Sequence, residues 1–282
     1  MITLTNYLPK MSGMSSPEKI NIRRGFVDAD YGQIHYRIAG KPSDKRPFVC
    51  LHQSPKSSRE FIAFMKIAGR DRLVIAIDSP GHGESDVPHE QPGIEDYARS
   101  ILIALKVLNL DKVDLFGHHT GAKVAIEMAY QKPEAIGNII MVSALVLTDA
   151  ERTAFLAEFR PIPLDEAGTR FTHIWEHALQ YRGPGVTLEQ LAFSIAENTR
   201  AGEAYEWGHE AAFRYTEFFP ERIASLPHRI TVLNPKDMLY EITPRVEPYL
   251  QNGEIIDLPN LGFGFLDTNP QAAVDTVKAV LG

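Results

Sequence analysis

The feature that most limits what this chain can become is a regular change of period between residues 47 and 131. Short runs rich in β-branched residues at 47–52, 72–78 and 112–116 are each followed by a helical pattern, near 58–69, 94–108 and 120–131. Strands separated by helices in this way form βαβ units, which pair in parallel through right-handed crossovers. Ahead of them, residues 25–40 alternate apolar and polar side chains around Asp30, Tyr31 and Gly32, the pattern of an antiparallel hairpin. Beyond them, an apolar strand at 139–146 gives way, from about 149 to 220, to helical patterns rich in aromatics. Strand and helix patterns resume at 229–233, 243–250, 255–258 and 270–281. The pattern predicts an α/β fold: a mostly parallel central sheet with helices on both faces, built from residues 21–147 and 221–282. A helical cap is expected at 148–220, and a loose arm, rich in Ser, Gly, Pro and Met, at 1–20.

Composition narrows the function. With 44% hydrophobic and 23% charged residues among 282, the chain can bury one large core, which excludes disorder and coiled coil. A net charge of −7 disfavours nucleic acid and anionic lipid as partners, leaving a small-molecule substrate or ligand. No apolar run approaches a membrane span and the N-terminus lacks a secretory pattern, so a cytoplasmic location is expected. The single cysteine, Cys50, lies in a buried-strand pattern and reads as a structural thiol in a reducing compartment. Any oligomer is expected to be a symmetric homodimer. No glycine-rich loop occupies the βαβ context that a nucleotide requires, so no cofactor is expected.

Residues 113–122, VDLFGHHTGA, run from strand to helix through a G-x-H-x-G turn. The segment resembles the G-x-S-x-G nucleophile elbow of α/β-hydrolases, where small residues allow a sharp turn to lift one side chain above the sheet. Three further segments agree in order and spacing. His52-Gln53-Ser54-Pro55 resembles the H-G-x-P oxyanion loop, and residues 78–85, DSPGHGES, resemble the D-x-P-G-H-G-x-S loop. Asp237 ends the strand that commonly carries the triad acid, and residues 261–265, LGFGF, match the terminal G-H loop. On these motifs the chain beyond its arm is similar to the capped branch of the α/β-hydrolase superfamily, which includes haloalkane dehalogenases, epoxide hydrolases, esterases and carbon–carbon bond hydrolases. The resemblance implies backbone oxyanion donors at Ser54 and Thr120, a place beside them in the oxyanion and substrate-binding site for Gln53, His52 and Phe263, and a structural role for His52, His82 and Asp78.

The departures from the family pattern bear most on chemistry. His119 stands at the nucleophile position, Phe263 at the catalytic histidine, and Gln53 at the oxyanion-loop glycine. Ordinary Ser-His-Asp chemistry is therefore closed. An imidazole moved to the elbow, oriented by Asp237, would serve as a general base; the bland alternative is a polar plug in a dead pocket. Asp149 is a second candidate acid, or else an N-cap for a helix over 150–159. Gln53 is either a polar arm into the site or a solvated loop residue. Trp175 and Trp207, with Tyr205 and Phe213, are candidates to line a cap pocket; His173, His177 and His209 read as surface or packing residues. A metal centre drawn from His52, His82, His118 and His119 is not expected, because neighbouring residues at an elbow diverge. The favoured function is a cofactor-free enzyme acting on an ester, lactone or diketone-like substrate with His119 as acid/base. A non-hydrolytic lyase or isomerase, and a non-catalytic small-molecule binder, are the alternatives.

Overall fold

A computed structural model of the protein describes residues 20–282. The expected arm lies, apart from Ile20, outside the described residues, and Ile20 itself packs against buried side chains of the core. Eight strands form one sheet: β1 (Arg23–Ala29), β2 (Gly32–Ala39), β3 (Phe48–Leu51), β4 (Val74–Ile77), β5 (Val113–His118), β6 (Ile136–Val142), β7 (Ile230–Lys236) and β8 (Gly253–Gly262). Their order is β1-β2-β4-β3-β5-β6-β7-β8. β1 and β2 make the expected hairpin and β2 meets β4 antiparallel; from β4 onward every pairing is parallel.

The central strands alternate between two covered faces, which is why they read as continuous apolar runs. In β3, Val49 and Leu51 face one core, whereas Phe48 and Cys50 face the other. The first core is closed by α2 (Ile94–Val107) and α3 (Thr120–Gln131), the second by α1 (Ile62–Ala68) and α10 (Pro270–Leu281). Cys50 is fully buried, and burial pushes its thiol well up.

Between β6 and β7 the chain forms α4 (Asp149–Glu158), α5 (Thr169–Gln180), α6 (Leu188–Asn198), α7 (Trp207–Tyr215) and α8 (Phe219–Ser225), with no strand. Ala211, Ala212 and Tyr215 of α7 and Phe219 and Ile223 of α8 are buried in the first core, so the insertion packs on the sheet side from α7 onward. A four-residue helix, α9 (Phe265–Thr268), precedes α10. No helix among the described residues is long and apolar enough to cross a membrane.

Three expected elements differ in extent. The segment at 243–250 is a 3-10 turn, Thr243–Tyr249, because Pro248 removes a backbone donor in its interior. The strand expected at 139–146 occupies Ile136–Val142 and stops where Ser143 takes φ 59°. β8 is longer than expected and passes a register irregularity opposite Pro235 and Lys236.

Candidate active site

β5 passes into α3 through His119, which holds φ 47° and ψ −107°. A residue with a side chain adopts that conformation only where its surroundings impose it. Here the imposition comes from two glycines. A Cβ at Gly117 would overlap the Gly121 carbonyl, and a Cβ at Gly121 would overlap the Leu51 carbonyl of β3. The turn is thus the sharp elbow that the G-x-H-x-G pattern implies, with the imidazole 13% exposed above the sheet.

Asp237 follows β7 and meets that imidazole directly. Its Oδ2 lies 2.9 Å from His119 Nε2 and accepts a hydrogen bond from Ser143 Oγ at 2.7 Å. The other oxygen accepts the Leu239 backbone N–H at 2.7 Å. Burial alone would raise this carboxyl, but the charge of His119 and the His119, Ser143 and Leu239 donors hold it below the usual carboxylate range. An ionised carboxylate only accepts, so His119 Nε2 carries the proton and Nδ1 keeps the lone pair in the neutral ring. Nδ1 takes no hydrogen bond among the described residues and is not enclosed. Asp149 is excluded as the acid: its side chain is 95% exposed and paired with Arg152. Nor is it the N-cap, a place taken by Thr148, whose hydroxyl accepts the Glu151 N–H. Ser143 has no signature in the sequence. Only its left-handed backbone, at the end of β6, aims its hydroxyl at Asp237.

The His52–Pro55 segment that resembles the oxyanion loop follows β3. Ser54 and Thr120 both line the cavity beside His119, and the Ser54 N–H is loosely held by Thr120 Oγ1 at 3.4 Å. The Ser54–Pro55 peptide is cis. His52, a candidate binding residue, does not reach the cavity. Its Nε2 accepts the Ser79 N–H and its Nδ1 lies 2.9 Å from the Gln53 carbonyl, so both ring nitrogens tie loop to loop. Phe263 does line the cavity, its ring 6.5 Å from that of His119 and 5.4 Å from Lys56 Nζ.

Gln53 is not a solvated glutamine. It is 4% exposed and bonded to Glu60, a buried acid with no signature among the motifs. Burial would raise the Glu60 carboxyl, yet His118, Lys56 and Gln53 hold it down at about 2. Asp78, fixed by His35, Ser58 and Glu84 as organiser of its own loop, is likewise held at about 2 against its burial. Because both folded-state values lie below the unfolded ones, the stability these groups supply is complete above pH about 4.5 and is lost as the pH falls towards 2. For Glu60 alone this is on the order of 3 kcal/mol. The melting temperature is expected to drop steeply below pH about 4.5. Glu60→Gln should flatten that drop, and a drop of unchanged steepness in the variant would contradict the assignment.

Above His119 lies a cavity of about 190 Å³. Its roof comes from the inserted helices: Phe155, Phe159, His177, Tyr181, His209 and Phe213. Trp175 and Trp207 do not line it; Trp207 packs near Gly81 instead. The three cap histidines, His173, His177 and His209, face this space, and His209 Nδ1 stands 2.6 Å from Glu206. Among the described residues, those that could share a metal ion are His118, His119 and Asp237, each with a ligand atom within 4.8 Å of the others. His52 and His82 are not among them, and an ion there would have to replace the proton between His119 and Asp237.

Sheet order, strained elbow and loops at the strand ends together define the α/β-hydrolase fold. Residues 46–180 match the protein family described as alpha/beta hydrolase fold. Among curated proteins, the chain is 26% identical over 143 residues to a proline iminopeptidase of Heyndrickxia coagulans, covering 50% of each. It spans about half the length, or less, of the curated relatives it matches. Among solved structures, Cfl2 of Burkholderia cenocepacia superposes with a TM-score of 0.76 over 93% of this chain and 96% of its own, at 19% identity. The enol-lactonase of Burkholderia xenovorans LB400 superposes with a TM-score of 0.72 over 91% and 99%, at 13% identity. At these identities the likeness to the solved structures concerns the fold alone.

Proposed function

We propose that the chain is a cofactor-free enzyme acting on a small ester, lactone or diketone-like carbonyl compound, with His119 as acid/base and Asp237 as its orienting carboxylate. The observation that carries this reading is the 2.9 Å contact between the elbow imidazole and a buried carboxylate, at the floor of a cavity. In the hydrolytic route, His119 Nδ1 takes a proton from water as the water oxygen bonds to the carbonyl carbon. The resulting oxyanion is met by the Thr120 and Ser54 N–H groups. The proton on Nδ1 then passes to the leaving oxygen or carbon as its bond breaks. The same groups support removal of a proton next to the carbonyl, giving an enolate at the same donors and hence isomerisation or elimination. Neither route uses Phe263, which supplies an apolar wall where the family places histidine.

The test is turnover of a panel of small esters, lactones and 1,3-diketones by wild type and His119→Ala, from mildly acid to alkaline pH. Wild type is expected to turn over at least one class, with a loss of about 10²–10⁴ in kcat/KM in the variant. Turnover equal in both proteins removes His119 from the chemistry. Saturable binding without turnover in either would make the protein a binder built on a hydrolase frame.

A further inference from the structure

The Gln53 carboxamide is not free to turn. Its Nε2 lies 3.0 Å from Glu60 Oε2 and 3.1 Å from His118 Nδ1, while the Gln53 backbone N–H donates to Glu60 Oε1 at 3.0 Å. All three residues are buried. An ionised carboxylate has no proton to give, so the carboxamide atom facing Glu60 must be the nitrogen; the turned side chain would set two acceptor oxygens against each other. In the tautomer protonated on Nε2, His118 offers Nδ1 as the acceptor for the second hydrogen of that nitrogen. Both hydrogens of the Gln53 amide are therefore spent inside the protein. Its Oε1 accepts nothing among the described residues and is not enclosed, and Gln53 lines the cavity between Ser54 and His119. What the side chain offers a ligand is an acceptor and never a donor.

We infer that Gln53, locked by Glu60, is a specificity-determining residue that selects carbonyl compounds bearing a hydrogen-bond donor, a hydroxyl or N–H, beside the reacting carbonyl. The placement beside the carbonyl rests on the proposed function, because Gln53 precedes the Ser54 N–H that would meet the carbonyl oxygen. A ligand with an ether oxygen at that point faces Oε1 lone pair to lone pair and leaves a desolvated acceptor unpaired. Lys56, on the other flank of Ser54, also lines the cavity, with its ammonium over the Phe263 ring.

The experiment is calorimetric binding of matched ketones, 1-hydroxyalkan-2-ones against 1-methoxyalkan-2-ones of equal chain length, to wild type, Gln53→Met and Glu60→Gln. Wild type is expected to prefer the hydroxy member by about 10- to 100-fold. The preference should vanish in Gln53→Met, and shrink or reverse in Glu60→Gln, whose own amide can donate to a turned Gln53. Equal affinity within the pair, binding of neither, or a preference that survives in Gln53→Met overturns the inference. Since Glu60→Gln can fail to fold, the lock is also read in wild type. The two Gln53 side-chain amide protons, assigned by their loss in Gln53→Met, should exchange slowly with solvent, and rapid exchange overturns it. Binding is measured without turnover, so an inactive protein that still discriminates sinks the catalytic reading alone, and an active one that does not discriminate sinks only this inference.

Discussion

Asp237→Asn is expected to lower kcat/KM by about 10⁴, the size of loss that a wrong tautomer causes in Ser-His-Asp enzymes. In this site the direction of the amide is set by its surroundings. The Leu239 N–H continues to claim the carbonyl oxygen at the place of Oδ1, which leaves the amide nitrogen where Oδ2 now meets His119 and Ser143. The Ser143 hydroxyl can turn to accept. The His119 ring must then accept at Nε2 and carry its proton on Nδ1, so the nitrogen that should take a proton is already occupied. Asp237→Ala removes orientation without forcing the tautomer and should lose less. Steady-state kinetics on the best substrate, with circular dichroism to confirm folding, checks both; equal losses in the two variants would refute the tautomer argument.

Gly121→Ala carries the largest expected effect on stability, about 3 kcal/mol, at the upper end of overpacking costs. Its methyl would enter the Leu51 carbonyl, and the His52 carbonyl lies within 3 Å as well. Both are backbone atoms at the end of β3, which is paired with β4 and β5 and cannot rotate aside. Relief requires α3 to lift from the sheet. Activity should fall with stability, because α3 carries the Thr120 N–H. The midpoint of urea unfolding reports the first effect, and an unchanged midpoint would mean that the elbow is not held by this contact.

The sheet and the elbow were legible because physics restricts the residues that can build them. Only small residues fit at 117 and 121, and the apolar runs are those of strands covered on both faces. The contact between His119 and Asp237 followed from two strand ends that a parallel sheet brings side by side across β6. Glu60 and Ser143 were not legible. Glu60 sits in an ordinary polar stretch, and it is buried only because Gln53 and His118 come to it from elsewhere in the chain. The cap misled for a different reason. Choosing its largest aromatics selected Trp175, whereas the stripe of α5 and its C-terminal end that faces the cavity is His173, His177 and Tyr181, at spacings of four, and Trp175 lies off it. On α7 the lining stripe runs through His209 and Phe213, and Trp207 is likewise off it. Helical period reveals such stripes but does not say which of two meets the sheet and which meets a partner helix.

With the imidazole rooted in the elbow, the proposed proton-transfer pair hangs from two strand ends, β5 and β7, where a conventional triad must align three. The segment 262–268 is thereby released from any demand of alignment. Exchange of Phe263 and its neighbours would reshape the wall of the cavity while the geometry of proton transfer stayed as it is. A lineage built on this plan could diversify what it accepts by altering one short loop near its C-terminus, a freedom that a histidine in that loop would forbid.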